Sequence, residues 1–419
     1  MRARRALFVT YGAGHIAMVA PVIRELQRRE PGIHIDLLAL TTGAHAARAM
    51  GFAPLGYRDF VHWYNADTLQ KHAAPVLADT RHPMIDEKET VAYLGINFED
   101  LHQQLGAQAA AQAYAAKGRW AFMPLNFMRR LLDHLKPDVV VTTNSPRTEE
   151  ASIAVAAEMD IPSVCMVDLF SPVGDPFLNR TVYADALTTI SELGKRNLVA
   201  GGVQAERIHI TGSPAFDSLT DPLPIKQAAD DRARLGWQQL KVVLWPGHLE
   251  LLPESMSKVD DPSKFPKDAE RILRNYVATN LHTALVVRYH PNHMAHFAAD
   301  VKQDRVLWSD ASTRHVHRDI HLCDVAVVQA TTVGLEAAIA GKSVISLDHS
   351  PSRAVFPCSQ QGISRGIESF AELPRALHAA FAHPFQSGLA SSSGGAAHKV
   401  VSVIQQTVKM KTLSSTLRR

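Results

Sequence analysis

Short runs of apolar residues alternate along the chain with longer segments in which apolar residues recur at helical spacing. Such runs are typical of strands buried in a parallel sheet, and such segments are typical of the helices that cover it. In the first half of the chain, the predicted strands cover residues 6–9, 34–40, 139–142, 163–167 and 186–190. In the second half, they cover residues 241–245, 283–288, 306–307, 325–328 and 343–347. The pattern predicts two doubly wound α/β domains.

Helix signals and turn residues divide the chain further. Helices are predicted over residues 17–29, 149–159, 99–116 and 334–340, the last ending at Gly341, which suits a helix C-terminus. A stretch of weak periodicity, about 57–130, is interpreted as a helical insertion that either shapes a substrate pocket or only covers the sheet. A proline-rich connector over 221–224 separates the two alternations. We therefore predict domains over 1–218 and 219–395, with a C-terminal helix and tail, 396–419, that packs back on the first domain.

Composition and charge exclude several protein classes. With 46% hydrophobic and 20% charged residues among 419, the chain can bury large cores, which excludes a disordered or fibrous protein. The formal net charge of +3 does not fit a nucleic-acid-binding protein. Cys165, Cys323 and Cys358 have no metal-ligand spacing, which favours a reducing compartment. Because the sequence also has no apolar run of about 18 residues, we expect a cytoplasmic protein.

The loops at the carboxyl ends of the strands are the expected ligand sites in such sheets. After the first strand, Gly12 and Gly14 let the backbone approach a ligand, and His15 can bond a sugar hydroxyl or act as a general base. The alternative is a tight turn with a histidine that caps the next helix. Asp168, just after the fourth strand, is the second candidate for a base or a hydroxyl-binding group.

The second domain offers comparable loops. Gly247 and His248 follow its first strand, where the glycine can face a phosphate. Arg288 and His290 follow its second strand, and a guanidinium suits bidentate bonds to phosphate. Since His290 and His293 have no third ligand at a recognisable spacing, no metal site is predicted.

Residues 329–345 form the most specific of these loops. A strand runs into Thr331 and Thr332 at the start of a helix, with Gly334 in the same turn, and the free N–H groups there favour a diphosphate. Glu336 is close enough in sequence to accept both hydroxyls of a ribose. The alternative is an ordinary N-cap threonine followed by an ordinary first-turn acid.

These motifs resemble those of the GT-B superfamily, which includes two-domain glycosyltransferases and UDP-N-acetylglucosamine 2-epimerases. Residues 331–347 are similar to the family element Ser/Thr-x-Gly-x-x-x-Glu-Ala-x-x-x-Gly-Lys-Pro-Val-Ile, with Ser343 in place of the proline. Residues 208–217 resemble a Val/Ile-Thr-Gly-Asn-Pro segment, and residues 12–15 resemble the Gly-Gly-His start of inverting sugar transferases. The resemblance implies two Rossmann-like domains facing a central cleft.

The same resemblance implies roles for residues of the second domain. The nucleotide diphosphate would bind Thr331, Thr332 and Gly334, and the ribose would bind Glu336. The element that starts at Arg288 is also similar to Arg/Lys-x-His-Pro segments of bacterial capsule and teichoic-acid polymer transferases.

The epimerase branch is similar over residues 140–217, including the pair Asn179-Arg180. Those epimerases have an acid-Ala-Gly-Leu-Arg loop and two glutamates just before Asn-Arg. This chain has Asp168-Leu-Phe-Ser and Asp175-Pro-Phe-Leu there, so the first acid is retained and the glutamate pair is absent. Moving a sugar proton from one face to the other needs positioned acid and base groups.

We therefore predict an inverting, metal-independent glycosyltransferase of bacterial glycan synthesis that uses a UDP-sugar and no cofactor. The second domain would bind the donor, and the first would bind a glycan, lipid-linked or small-molecule acceptor. His15 is the predicted base, and Asp168 would orient the acceptor hydroxyl. Two alternatives stay open: an epimerase-like isomerase or hydrolase that acts on the nucleotide sugar alone, and a nucleotide-sugar-binding protein without catalysis.

The end of the chain is basic, with Lys409, Lys411, Arg418 and Arg419. These charges would attract anionic lipid, which suits a protein that contacts the inner face of the membrane from the cytoplasm. The alternative is a solvated tail.

Overall fold

The computed structural model of the chain describes residues 4–80, 82, 84–171, 175–250, 259–297, 302–387, 389 and 395–417. It consists of two compact units, Met1–Ala215 with Gly395–Arg419, and Phe216–Gly394. Each unit contains a six-stranded sheet in which all pairings are parallel. The predicted α/β class with two doubly wound domains is confirmed.

The sheet of unit 1 has the strand order β2-β1-β3-β4-β5-β6. Its strands are β1 (Arg5–Tyr11), β2 (His34–Leu40), β3 (Val139–Thr143), β4 (Ser163–Met166), β5 (Ala186–Thr189) and β6 (Ile208–Ile210). Sequence reasoning missed β6, because its three residues alternate apolar and polar at a sheet edge and give no continuous apolar run.

Among its described residues, unit 1 has ten α-helices. They are α1 (Gly12–Arg29), α2 (Thr42–Ala49), α3 (Ala66–Ala73), α4 (Leu77–Thr80), α5 (Glu87–Leu105), α6 (Ala107–Lys117), α7 (Leu125–Leu135), α8 (Thr148–Glu158), α9 (Glu192–Ala200) and, at the end of the chain, α15 (Ala396–Leu417). The single helix predicted over 99–116 is wrong. It is two helices, since Gly106 between α5 and α6 has a φ of +77°, which ends the helical conformation.

Helices cover both faces of this sheet. Leu7 and Val9 of β1 point to one face, where Tyr57, α5 and α7 of the insertion pack on them. Phe8 points to the other face, where α1 and α15 pack, the latter through Val400. The insertion therefore covers the sheet, and the C-terminal helix belongs to the core of unit 1.

The sheet of unit 2 has the order β12-β11-β10-β7-β8-β9. Its strands are β7 (Lys241–Gly247), β8 (Thr283–Tyr289), β9 (Val306–Trp308), β10 (Val325–Val328), β11 (Ser343–Leu347) and β12 (Arg365–Ile367). Its helices are α10 (Pro222–Leu235), α11 (Lys264–Thr279), α12 (Val316–Leu322), α13 (Thr332–Ile339) and α14 (Leu373–Ala382). The connector predicted over 221–224 is instead the first turn of α10, where a proline loses no helical hydrogen bond.

Candidate functional site

The strand order of unit 1 reverses between β1 and β3, and sheets of this kind bind ligands at such a point. His15 follows β1, and Asp168 follows β4, next to β3 in the sheet. His15 Nε2 lies 3.1 Å from Asp168 Oδ2. The structure thus places in direct contact two side chains that are far apart in sequence and that can both carry protons.

The position of His15 follows from the loop that precedes it. Helix α1 begins at Gly12, whose φ of +80° is in the left-handed region that favours glycine, and Gly14 is exposed in the first turn. His15 Nδ1 lies 3.0 Å from the Thr143 hydroxyl and 3.2 Å from the Ser145 hydroxyl. Both ring nitrogens therefore have partners in other loops, which fixes the orientation of the imidazole.

A buried carboxyl group extends this contact. Glu149, in the first turn of α8, is fully buried and is hydrogen-bonded to the Thr143 hydroxyl. Its Oε1 atom lies 3.9 Å from His15 Nδ1. A continuous chain of hydrogen bonds therefore runs from Glu149 through Thr143 and His15 to Asp168.

The charges in this chain of hydrogen bonds change how readily its members hold protons. Burial raises the pKa of Glu149 above its ordinary value. For His15, burial lowers the pKa, but the hydrogen bond to Asp168 and the charges of Asp168 and Glu149 outweigh it, so the pKa rises above 6.5. The imidazolium form is therefore favoured beside Asp168, and this pair can give up a proton and take one back.

Arg180 contributes a buried positive charge to the same site. Its side chain is only 2% exposed, and Nη2 donates to the carbonyl oxygens of Asn144, at 2.8 Å, and Ser145. Its guanidinium stacks 4.5 Å from the ring centre of Phe177, and Nε lies 3.5 Å from Glu150 Oε2. Within the described parts of the chain, Nη1 is buried without a hydrogen-bond partner. This N–H group can donate to an oxygen atom of a ligand.

These groups surround a cavity of about 230 Å³. Its lining consists of His15, Trp120, Asn144, Ser145, Pro146, Glu150, Asp168, Asp175, Pro176, Phe177 and Arg180. Acidic, basic and aromatic side chains therefore meet in one concave place, as is usual for a ligand site.

Strained backbone marks the loops around this cavity. Arg147, after β3, has a φ of +72°, and Leu169 and Ser171, after β4, have φ values of +45° and +38°. A non-glycine residue in this region costs roughly 1–3 kcal/mol, and such residues cluster at functional sites. The Arg147 guanidinium lies over the Tyr11 ring at 4.7 Å, which ties the β3 loop to the loop that carries His15.

The strand order of unit 2 reverses between β7 and β10. There His248 donates its backbone N–H to Gln329 Oε1 at 3.3 Å. His248 Nε2 is buried, and none of the described residues is its hydrogen-bond partner. His290 is exposed, and its Nδ1 accepts the backbone N–H of Asn292 at 3.3 Å.

The most specific sequence motif lies at the start of α13. Thr331 caps this helix by accepting the Val333 N–H at 3.3 Å, and Thr332 is exposed at its first position. Glu336 Oε2 lies 3.1 Å from His317 Nε2 in α12. Glu336 therefore already has a partner, and it remains a ribose-binding candidate held in place by a histidine.

Three residues predicted for ligand binding in unit 2 make close contacts within their own unit. Arg288 Nη1 lies 3.1 Å from Asp319 Oδ2, and both side chains are buried. A Cβ atom on Gly247 would lie 2.6 Å from the Tyr289 ring, and one on Gly334 would lie 3.1 Å from a Val328 methyl group. The charge of Arg288 is thus already paired, and close packing leaves little room for a side chain at either glycine.

Sequence reasoning missed four side chains of these sites. Glu149 is indistinguishable in sequence from an ordinary first-turn acid, and Trp120 lies in the insertion, which shows no clear periodicity. In the sequence, Arg180 stands out only as part of a family pair, and His317 only as a surface histidine. Each of these side chains is placed by contacts with residues that are far away in the sequence, and a local sequence pattern cannot indicate such contacts.

Two further predictions concern metal ions and membranes. In the parts of the chain that the structure describes, no group of three or more His, Cys, Asp or Glu side chains is arranged to hold a metal ion. No described helix is both long enough and apolar enough to cross a bilayer. At the basic C-terminus, Lys411 pairs with Asp185 at 3.1 Å, and Arg418 and Arg419 lie outside the described residues.

No protein-family model matches the chain, and no curated protein matches it in sequence. Among solved structures, a Listeria monocytogenes protein assigned as a UDP-N-acetylglucosamine 2-epimerase is 14% identical over 97% of this chain and 98% of that one, with a TM-score of 0.60. The UDP-GlcNAc 2-epimerase of Neisseria meningitidis, bound to UDP-GlcNAc, is 14% identical over 96% and 100%, with a TM-score of 0.55. S. aureus MnaA, solved with UDP, is 13% identical over 95% of both chains, with a TM-score of 0.55. At these identities the similarity establishes the GT-B-like fold.

This comparison contradicts the main functional prediction from the sequence. The prediction of a glycosyltransferase is wrong, because the solved structures named above, which share the fold over nearly their whole length, are UDP-GlcNAc 2-epimerases, and this favours the alternative. The error has an identifiable source. The resemblance over 331–347 implies only a nucleotide-binding role, which both branches of the superfamily share, so it does not indicate what happens to the sugar.

Proposed function

We propose that the protein is an isomerase similar to UDP-N-acetylglucosamine 2-epimerases, which inverts a sugar carbon of a UDP-sugar without an acceptor. The observation that carries the proposal is the His15–Asp168 contact of 3.1 Å in a polar cavity of this fold. The neighbouring structures solved with UDP-GlcNAc and with UDP support the choice of ligand.

The chemistry requires groups that exchange protons. In a 2-epimerisation, a base takes the proton from C2, and the electron pair of the broken C–H bond forms a C1–C2 double bond while the C1–O bond to UDP breaks. UDP then adds back to C1 as a proton returns to C2 on the opposite face. His15 and Asp168 are the two proton carriers, and their hydrogen bond lets one proton be shared between them. Because substrate and product have the same composition, the reaction consumes no acceptor and no cofactor.

Arg180 would stabilise the negative charge that develops on the departing diphosphate as the C2 proton is removed. Its unpartnered Nη1–H donor is held in place by two backbone carbonyl groups and by the Phe177 ring. Preorganised donors in a site that excludes water stabilise developing charge more than water does. This role needs no metal ion.

The nucleotide would bind unit 2. Thr331, Thr332 and the backbone at Gly334 would bind the diphosphate at the start of α13, and Glu336 would accept the ribose hydroxyls. The buried, unpartnered Nε2 of His248 supports a ligand contact there. We assign Arg288 to stability, since its charge is already paired.

The test is incubation of the purified full-length protein with UDP-GlcNAc and no acceptor, followed by NMR of the sugar. We expect UDP-N-acetylmannosamine, and we expect His15→Gln and Asp168→Asn to lower turnover about 10²–10⁴-fold. Glu206→Gln, an exposed carboxylate outside the cavity, is the matched control and should leave turnover unchanged.

Two outcomes would change the proposal. If the protein leaves UDP-GlcNAc and the other common UDP-sugars unchanged, the proposal is contradicted. If the products are UDP and the free sugar, the protein is a hydrolase instead of an isomerase. One observation favours this alternative. The segment Asp175-Pro-Phe-Leu provides an aromatic ring where the epimerase motif that this region resembles has two glutamates, so both of those carboxyl groups are missing for the return of a proton to the sugar.

A further inference from the structure

One side chain of the cavity has no place in the proton chemistry. Trp120 lines the cavity with His15 and Asp168, yet its side chain is 62% exposed. The other four tryptophans of the chain are buried or half-buried. Trp120 therefore exposes a large apolar ring at a place that is otherwise lined mainly by polar groups.

The position of Trp120 is nonetheless well defined. It lies in a 3₁₀ turn, Gly118–Ala121, two residues before Phe122. Phe122 is buried and packs against the rings of Phe98 and Tyr114, with centroid distances of 5.1 Å and 5.4 Å. Trp120 itself makes no ring contact and no cation–π contact with the described residues. The aromatic cluster thus anchors the turn and leaves the indole face available.

The shape and chemistry of the cavity indicate which part of a ligand would meet this ring. A whole ligand usually needs a pocket of about 300–1,000 Å³, so about 230 Å³ fits one ring of a nucleotide sugar. A pyranose has hydroxyl groups around its edge and a flat face of C–H groups. The carboxylates, His15 and Arg180 suit the edge, and an amphipathic aromatic ring suits the apolar face.

We propose that Trp120 is a stacking platform for the pyranose ring and determines how that ring is presented to His15 and Asp168. This inference rests on the proposed function, because it takes the sugar of a UDP-sugar as the ligand of the unit 1 cavity. It makes the helical insertion, which covers the sheet, a contributor to substrate specificity as well.

The test is calorimetric titration of the full-length protein with UDP-GlcNAc and, separately, with UDP. We expect Trp120→Ala to weaken UDP-GlcNAc binding about tenfold and to leave UDP binding unchanged. Trp120→Phe keeps an aromatic face and should stay within about threefold of the wild type. Arg119→Ala is the matched control, since Arg119 is exposed in the same turn and does not line the cavity. Because Trp120 is exposed, these variants should fold as the wild type does.

Two results would contradict the assignment of Trp120 as a stacking platform. One is unchanged UDP-GlcNAc binding by Trp120→Ala, and the other is an equal loss of UDP and UDP-GlcNAc binding, which would assign the ring to the nucleotide. Binding is measured separately from turnover. If the wild type binds UDP-GlcNAc without converting it, only the proposed isomerase fails, and the tenfold effect of Trp120→Ala still decides the platform. A wild type that binds neither ligand would contradict both.

Discussion

The two units have sheets of similar topology, but their candidate ligand-binding arginines differ in whether they are already paired with other protein groups. In unit 1, the groups at the carboxyl edge converge on a cavity, and Arg180 retains a buried N–H without a partner among the described residues. In unit 2, Arg288 lies at the carboxyl end of β8, but its charge is paired with Asp319. Unused hydrogen-bonding capacity, rather than position at the end of a strand, therefore distinguishes a ligand group from a structural one in this comparison.

The comparison of the two arginines gives the largest expected effect. Arg180→Met should lower turnover of UDP-GlcNAc about 10²–10³-fold, because it removes a preorganised donor to developing charge. Steady-state kinetics should show the loss mainly in kcat. A variant with normal kcat and a raised KM would make Arg180 a residue for ground-state binding, and unchanged kinetics would remove it from the site.

Arg288→Met should instead destabilise the protein. It removes one of the two arginines that pair with the buried Asp319, and because Arg314 remains, we expect a loss of about 2–3 kcal/mol, below the usual cost of breaking a buried ion pair. Urea unfolding measures this loss. Nucleotide affinity should stay as in the wild type. A drop in UDP binding with unchanged stability would mean that Arg288 binds the ligand, and the two arginines would then not differ in function.

Gly247→Ala tests the packing explanation for a glycine of unit 2. The new methyl group would meet the rings of Tyr289 and Trp245 at 2.6 Å and 2.8 Å, so overpacking should cost about 1–3 kcal/mol of unfolding free energy. Thermal unfolding with and without UDP gives the measurement. If stability is unchanged and only the UDP-induced shift is lost, Gly247 is a ligand-approach glycine, as the sequence pattern predicts.

The smallest expected effect concerns pH and His15. Since the folded pKa of His15 is raised above 6.5, the stability it contributes is fully present below pH 6.5 and is lost as pH rises through its folded pKa. The difference in unfolding free energy between the wild type and His15→Gln should therefore shrink as pH rises. Because the His15 charge lowers the pKa of Glu149, both proteins are compared in a Glu149→Gln background, so that this carboxyl group does not contribute. A difference that grows with pH would contradict the assigned direction.

Much of the fold can be predicted from the sequence because buried parallel strands are continuous apolar runs. The predicted bounds of Val325–Val328 and Ser343–Leu347 match the observed strands, while β6 and β12 are three-residue edge strands that give little signal. Ligand groups are expected at the carboxyl ends of parallel strands, and this rule alone places His15 and Asp168 at the same edge of the sheet.

The rest of the site could not be predicted, because it depends on contacts between distant residues. Nothing local to Glu149 indicates that it is buried against Thr143, and nothing local to Arg288 indicates that Asp319, 31 residues later, takes its charge. Function was harder still, because the nucleotide motif is common to enzymes that transfer the sugar and enzymes that isomerise it. Free and paired side-chain atoms, rather than motifs, distinguish Arg180 from Arg288.

The central claim is that the His15–Asp168 pair exchanges a proton with the sugar of a UDP-sugar. The most direct measurement is NMR of UDP-GlcNAc incubated with the protein in D₂O without an acceptor. The claim predicts that the C2 proton signal is lost to deuterium with the wild type and is retained with Asp168→Asn. Product formation with no deuterium at C2, or equal exchange by Asp168→Asn, would contradict it.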